Sequence, residues 1–422
     1  MPTATTGVPA TAGTATSSMP TRSGRFPRLS SRLRINLALF AIGMATFALL
    51  FSTQALLPDI AAEFAVGPDR ASWTVSATTI GLAAAVLPLS ALSERFGRRQ
   101  TMTVSVAVAV GLAAVIPFAP DLGTLVALRA LQGAAIAGIP ASAVAYLSEE
   151  LADARATVGS VGLFIAGNSV GGMTGRVLTG WVSEGFGWRA ALAAVAALAL
   201  AAAVVYRLLL PRARNFTPAS LRPRLVLRTV RDHLARPLLL RLYAIGMLLM
   251  AAFSAVYTVI GFRLVAEPFG LSAGLAGSVF VIYLVGTVSS SATGPLLERL
   301  GRRGALYAAT ATATAGLLLS LADHLAAVLA GLVLITAGFF FGHAVASGSV
   351  SRTAAHGKAQ ASALYQVAYY LGSSLGGTLG ASVFRHAGWN GLVLFATTAL
   401  LLTAAITLYA THRARVTLAK AA

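Results

Sequence analysis

Cysteine and charged residues are the scarce residue types in this chain. It contains no cysteine, and only 11% of its 422 residues are charged. The lack of cysteine excludes disulfide bonds, thiol catalysis and metal sites with cysteine ligands. Because soluble domains carry roughly 25% charged residues, an ordinary water-soluble globule is excluded too. The hydrophobic residues, 57% of the chain, fall in long uncharged blocks, as expected when lipid is the solvent.

Twelve such blocks follow one another along the sequence. Eleven contain no charged residue, and the twelfth is interrupted only by Arg129. Nearly all reach the ~17–20 residues that cross a bilayer, and in lipid such segments must be helices. We therefore expect an all-α membrane protein with twelve transmembrane helices. The predicted spans are 35–58, 71–93, 100–120, 122–147, 156–175, 190–206, 242–262, 268–297, 304–322, 325–351, 359–384 and 387–411.

The basic residues predict the orientation. If the N-terminus is cytoplasmic, 26 of the 32 Arg and Lys residues fall in cytoplasmic segments and four in outside segments. This is the positive-inside pattern, so both termini are predicted to be cytoplasmic. The net charge of +19 thus reports topology, and a nucleic-acid partner is not expected.

Two segments stand apart from the spans. Residues 1–31 are rich in Ser, Thr, Pro, Gly and Ala and predict a disordered cytoplasmic tail rather than a transit peptide. Residues 211–237, with four prolines among many arginines, predict a cytoplasmic linker. The linker separates two six-helix bundles, at 32–210 and 238–412, and a short cytoplasmic tail is expected at 413–422.

The two bundles share repeated motifs. The segment Leu92–Arg99 (LSERFGRR) recurs as Leu296–Arg303 (LLERLGRR), 204 residues later. A glycine pattern, G-x-x-x-G-G-x-x-G, begins at Gly167 and again at Gly372, 205 residues later. Such agreement predicts parallel repeats, and secondary transporters of this build bind substrate between the halves near mid-membrane.

With these motifs the chain resembles the major facilitator superfamily. Residues 90–99 resemble the superfamily's loop between spans 2 and 3, with Ser90 and Glu94 where Gly and Asp are usual. Arg129-Ala-Leu-Gln132-Gly133 is similar to the R-x-x-Q-G signature of the drug/proton antiporter branch. Gly167–Arg176 resembles that branch's glycine motif, with Gly-Arg in place of Gly-Pro, as in bacterial efflux proteins of the YnfM type.

The resemblance implies a latch on the cytoplasmic face, for which plain positive-inside topology is the alternative. Glu149 or Glu150 could pair with its arginines, whereas span 10 has no acid near Arg352, so the second copy would differ. The glycine stripes predict close helix packing, with a role in blocking leak as a further option. The latch residues are Glu94, Arg95, Gly97, Arg98, Arg99, Glu149, Glu298, Gly301, Arg302 and Arg303, and the stripes are Gly167, Gly171, Gly175, Gly372, Gly376 and Gly380.

Four residues are candidates for transport or ion coupling. Arg129 and Arg176 lie within spans, so each must find an acceptor. Arg129 is expected to take part in a proton or substrate relay. Alternatively, it is structural and donates hydrogen bonds to backbone carbonyls, Gln132 or Asn168. Arg176 has the further option of snorkelling to the membrane interface. No Asp or Glu lies deep in a span: Asp59 is at an end and typical of a helix cap. His343 could carry protons or be a hydrogen-bonded core residue.

The substrate site can be sketched from polar and aromatic residues in the spans. Few polar groups in an apolar lining favour an amphipathic organic compound over a sugar or a highly charged ion. The candidate residues are Gln54, Gln132, Asn168, Tyr257, Tyr365, Gln366 and Tyr369.

The expected function is secondary active transport: proton-coupled efflux of a small amphipathic compound by alternating access, in a bacterial inner membrane. The missing mid-span carboxylate favours the alternative of an uncoupled facilitator or importer. An ATP-driven pump is excluded because no phosphate-binding G-x-x-x-x-G-K-[ST] motif is present, and no catalytic constellation indicates an enzyme. The expected partners are the substrate, the bilayer and protons, with no cofactor, no metal and a monomeric state.

Overall fold

The computed structural model describes residues 30–151, 153–218 and 223–421, and in these ranges every regular element is helical. Three short 3-10 turns, at Gln54–Leu56, Ile116–Phe118 and Val279–Ile282, continue or interrupt the spans. The α-helices are α1 Ser31–Leu50, α2 Leu57–Glu63, α3 Pro68–Ala71, α4 Trp73–Phe96, α5 Arg98–Val115, α6 Leu122–Ile136, α7 Pro140–Glu150, α8 Ala154–Leu209, α9 Pro223–Leu234, α10 Pro237–Val265, α11 Ala273–Ser278, α12 Tyr283–Ser291, α13 Thr293–Leu319, α14 Leu325–Thr353 and α15 Lys358–Ala421.

Glycines divide the longest helices into separate spans. In the described ranges nine helices are long and apolar enough to cross a membrane, and two of them are 55 and 52 residues long. Straight helices of that length would measure roughly 80 Å, against a hydrocarbon layer of about 30 Å. The chain turns instead at Gly187 (φ 80°) in α8 and at Gly388 (φ 61°) in α15, where φ is positive. Gly301 (φ 65°) turns α13 in the same way. The part of α13 that follows Gly301 brings the number of spans to twelve.

Some predicted boundaries differ from the structure. Span 8 begins at Ala273, because residues 268–272 form a loop. The linker contains helix α9, whose Val230 packs on the core while Arg228 and Arg231 are exposed. The last helix continues to Ala421, past the predicted end at 411. The predicted tail over residues 1–31 lies almost wholly outside the described residues, as do residues 152, 219–222 and 422.

The sequence repeat has a counterpart in the packing of parallel helices. The first arm of α8 runs alongside α1, where a Cβ on Gly167, Gly171 or Gly175 would collide with the backbone of the facing helix. The first arm of α15 packs on α10 through Gly372, Gly376 and Gly380 in the same way. Small residues thus let both pairs of backbones approach closely. The backbone partners are Phe40, Met44 and Ala48 in the first half, and Met247, Ala251 and Ala255 in the second.

The two halves, α1–α8 and α10–α15, meet most closely away from the arginine-rich helix ends. We call the side bearing Arg95–Arg99 and Arg299–Arg303 the basic side, and the other the opposite side. On the opposite side, Arg385 Nη1 pairs with Asp69 at 3.1 Å, and Ser76 Oγ lies 2.7 Å from Thr378 Oγ1. Glu184 accepts hydrogen bonds from Ser272 Oγ and from the Gly274 amide, both at 2.9 Å. The hydrogen bonds and ion pairs that join described residues of the two halves all lie here.

Candidate functional site

Arg176 lies in α8 where the two halves meet. Its Nε donates to Gln54 Oε1 at 2.7 Å, and Nη1 donates to the carbonyl of Gly172 at 2.6 Å. The guanidinium carbon lies 4.4 Å from the ring centre of Phe51 in the first half. Phe280 and Tyr283, from the second half, cover it at 4.9 and 4.8 Å. The side chain is 2% exposed, so this charge is held by aromatic faces and neutral acceptors.

An aromatic cluster of the second half continues from these rings. Tyr257 packs edge-on against Tyr283 with ring centres 4.9 Å apart, and its hydroxyl lies 2.6 Å from Thr336 Oγ1. Phe253 stacks on Phe339 at 4.0 Å, and Phe339 contacts Tyr369 at 6.3 Å. Such a surface offers apolar area with few polar groups, which suits the aromatic or aliphatic body of an organic molecule.

His343 joins this cluster from α14. Its Nδ1 lies 2.9 Å from the hydroxyl of Tyr365, and its ring packs against Tyr369 at 4.7 Å. The ring is half-buried, while Tyr365 is almost fully buried. The structure therefore places the titratable side chain of span 10 beside the predicted aromatic residues of span 11.

Arg129 has a different environment. It is 0% exposed, and its Nη1 and Nη2 donate to the carbonyls of Leu49 at 2.8 Å and Leu50 at 2.7 Å. Those residues end α1, where carbonyls lack donors from their own helix. Nε donates to the carbonyl of Thr74 at 3.1 Å, and Gln132, which also accepts from Nη1, donates to the carbonyl of Ala109. All three nitrogens are bonded within the first half, which supports the structural interpretation of this residue.

Two of the predicted latch residues, Arg98 and Glu149, form an ion pair inside the first half. Arg98 Nε lies 2.9 Å from Glu149 Oε1, and Arg98 Nη1 donates to Ser93 Oγ at 2.7 Å. Gly97, with φ 101°, turns the chain between α4 and α5. Glu150 accepts from the amides of Arg214 and Asn215, which holds the start of the linker against α7. In this conformation the pair fixes the turn after span 2 to the end of span 4 and does not join the halves.

The second copy has no acid in the corresponding place. Arg302 and Arg303 line a cavity of about 540 Å³ with Arg352, which occupies the end of span 10 as Glu149 occupies the end of span 4. Glu298 is exposed. Burial and the charges of Arg303 and Arg352 lower the pKa of Arg302. The two arginine motifs of the basic side are therefore alike in sequence and unlike in electrostatics.

The remaining predicted residues lie apart from the aromatic cluster or at its edge. Asp59 is half-buried in the first turn of α2, a position that stabilises a helix N-terminus. Asn168 is half-buried beside Gly43, and its Oδ1 has no hydrogen-bond partner among the described residues. Gln366 is half-buried on α15.

Sequence reasoning missed the aromatic partners Phe51 and Phe280 and the contacts between the halves on the opposite side. Trp181 donates to Ser278 across the halves at 2.9 Å, beside the close approach of Gly180 and Gly277. The sequence did contain a signal for the ion pair between Asp69 and Arg385, since Arg385 is among the few basic residues of the opposite side.

Comparisons with known proteins agree with this architecture. The profile of the Major Facilitator Superfamily matches residues 35–264 and 242–421. The inner membrane transport protein YnfM of Escherichia coli is 38% identical over 363 residues, 86% of this chain and 87% of that protein. The uncharacterized MFS-type transporter YybF of Bacillus subtilis is 37% identical over 360 residues, 85% and 89% of the two chains. A solved bacterial homolog of the human lysosomal transporter Spinster superposes with a TM-score of 0.73 at 15% identity, covering 91% of this chain and 98% of that one. The chain belongs to the major facilitator superfamily and is a multi-pass membrane transporter, not an enzyme.

Proposed function

We propose that this transporter exports a small amphipathic organic compound across a bacterial inner membrane in exchange for protons. The observation that carries the proposal is that the aromatic cluster of the second half meets a single guanidinium of the first half, that of Arg176, among apolar rings. A sugar site would need many more hydrogen-bonding groups in the same space. The similarity of Arg129–Gly133 to the antiporter signature supports export over import.

Alternating access follows from the contacts between the halves. The opposite side is closed by Asp69–Arg385, Ser76–Thr378 and Glu184–Gly274, so substrate enters this conformation from the basic side. We propose that the basic side is cytoplasmic, with both termini there and two six-helix bundles at 32–210 and 238–412. The Arg98–Glu149 motif would then act at the cytoplasmic gate when that side closes.

His343 is the proposed proton carrier, because its imidazole can take up and release a proton and its ring adjoins the aromatic cluster. A second candidate function, an uncoupled facilitator or importer, is favoured by one observation. Within the described spans, the deepest carboxylate is that of Asp59, in the first turn of α2.

Everted membrane vesicles with a preformed proton gradient, read by a pH-sensitive dye, test the proposal. A panel of amphipathic compounds is added to vesicles with and without the protein. Gradient collapse that requires both compound and protein supports proton-coupled export. If labelled compounds equilibrate through the protein while the gradient stays intact, the facilitator replaces the antiporter.

A further inference from the structure

Arg176 has a positive charge with no protein counter-ion in the described part of the chain. The four described ion pairs use other arginines: Arg98, Arg189, Arg263 and Arg385. Its two hydrogen-bond acceptors, the amide of Gln54 and the carbonyl of Gly172, are neutral. A buried charge that lacks an opposite charge is expensive to hold, and in membrane spans it marks a functional position.

One end of the same guanidinium also lacks an acceptor. Nε and Nη1 are bonded, whereas Nη2 makes no hydrogen bond with the described residues. Arg129 provides the comparison, because all three of its nitrogens donate to protein oxygens. Arg263, at the outer end of span 7, donates from Nη1 to the carbonyl of Ser320 and from Nη2 to the carbonyl of Ala322 and to Asp323. Of these three arginines, Arg176 is the one with a terminal guanidinium nitrogen, Nη2, that makes no hydrogen bond with the described residues.

The free donor, Nη2 of Arg176, belongs to a guanidinium that lies where the two halves meet. Gln54 and Phe51 hold the guanidinium from the first half, and Phe280 and Tyr283 cover it from the second. Transporters built from such repeats bind substrate between the halves. A guanidinium is matched in charge and geometry by a carboxylate, and the adjoining rings are matched by an apolar or aromatic body.

We propose that Arg176 binds the anionic group of the transported compound, so that the substrates are amphipathic organic carboxylates. This inference rests on the proposed function, whose substrate it narrows from amphipathic compounds in general to anions. Gln54 is then a positioning residue, since its Oε1 fixes Nε and leaves Nη2 for the ligand.

Thermal unfolding of the purified full-length protein in detergent tests the site with three probes of one shape. They are naphthoate, the neutral naphthamide and the cationic naphthylmethylammonium ion, each at about 10 mM, a concentration suited to Kd values near 1 mM. Naphthoate is expected to raise Tm by roughly 2 °C, and the other two to leave it unchanged. Equal shifts with all three probes, or no shift with naphthoate, overturn the proposal.

Two variants remove the anion site in different ways. Arg176→Gln removes the charge, whereas Gln54→Glu keeps Arg176 and supplies a protein carboxylate in place of the ligand's. Both should abolish the naphthoate shift, and Gln54→Glu keeps the test valid if Arg176→Gln fails to fold. Arg176→Lys, which keeps the charge without the forked guanidinium, should weaken naphthoate binding about tenfold. Arg189→Gln, at a half-exposed ion pair, is the matched control and should respond like the unaltered protein. A naphthoate shift that survives in both Arg176→Gln and Gln54→Glu overturns the proposal.

The vesicle experiment separates this inference from the proposed function. Arg176-dependent binding of naphthoate without movement of naphthoate or protons in vesicles would overturn the proposed function and leave the site. Proton-coupled movement of cationic compounds, with no carboxylate binding, would overturn the site and leave the proposed function.

Discussion

At the scale of single residues, the two deeply buried arginines differ in what their guanidinium groups contact. Arg129 donates to carbonyls at the end of α1 and on α4, and thereby supplies hydrogen bonds that a broken transmembrane helix lacks. Arg176 contacts rings from both halves and one amide. The first arrangement holds one half together, and the second lies where the halves must move relative to each other.

Replacing Arg129 by alanine should destabilise the protein rather than affect transport alone. The charged hydrogen bonds from Arg129 to the carbonyls of Leu49, Leu50 and Thr74 would be lost, at about 1.5–3 kcal/mol each, although Ser52 and Thr78 would still donate to those of Leu49 and Thr74. We expect a loss of at least about 3 kcal/mol in the free energy of unfolding, measured by thermal or denaturant unfolding in detergent.

The control for this variant is Arg189→Ala, which removes a half-exposed ion pair with Glu63 and should change stability by less than about 1 kcal/mol. An Arg129→Ala protein of normal stability that cannot transport would contradict the structural role and restore the relay interpretation.

His343→Gln tests proton coupling while preserving a polar contact. Glutamine can still hydrogen-bond the hydroxyl of Tyr365 but does not titrate, so substrate should still cross the membrane without protons. In everted vesicles we expect the dye signal to fall about tenfold or more while exchange of labelled compound persists. An unchanged dye signal would assign the coupling to another group.

These residue roles were only partly predictable. The sequence identifies Arg129 and Arg176 because charged residues inside apolar spans are conspicuous. It cannot tell them apart, because their acceptors belong to helices up to 122 residues distant in the chain, and most are backbone atoms common to all residues. Phe51 and Phe280 were missed because phenylalanine within a span is otherwise typical of a lipid-facing side chain.

At the scale of helices, glycine has two separate uses in this chain. Gly187, Gly301 and Gly388 adopt positive φ and turn one span into the next. Gly171 and Gly376 are helical, and they permit contact with the backbones of Met44 and Ala251. The sequence predicted the packing stripes from their spacing of four residues. Helix α9 and the extension of the last helix to Ala421 were not predicted, because charge boundaries mark where the membrane ends rather than where helical hydrogen bonding ends.

Gly171→Ala should separate α8 from α1. The added methyl group would overlap the backbone of Met44, and such overpacking costs about 1–3 kcal/mol. Thermal unfolding should therefore show a lower Tm. Gly162→Ala is the matched control, because it lies on the same helix with no atom within 4 Å of the new Cβ, and its Tm should stay within a degree or two or rise. Equal Tm values for the two variants would mean that the α1–α8 contact is not tight.

At the scale of the whole molecule, the described contacts close one side only. The opposite side has an ion pair, a hydroxyl pair and a carboxylate on the N-terminus of α11, each joining the two halves. The arginine motif of the basic side pairs with Glu149 within its own half. The fold class and the twofold repeat were predictable from the sequence, whereas the conformation was not, because contacts such as Ser76–Thr378 join ordinary polar residues about 300 positions apart.

A reversible cross-link across the opposite side tests whether that side must open. Ser76→Cys and Thr378→Cys place thiols where hydroxyl oxygens now lie 2.7 Å apart, and the chain has no native cysteine to compete. Oxidation should reduce transport in vesicles about tenfold or more, because substrate could no longer leave on that side, and a reductant should restore it. Each single-cysteine variant controls for the substitution alone and should transport equally with and without oxidant. If the cross-linked protein transports at full rate, the closed contacts of the opposite side are not a gate, and passage must occur without separation of spans 2 and 11.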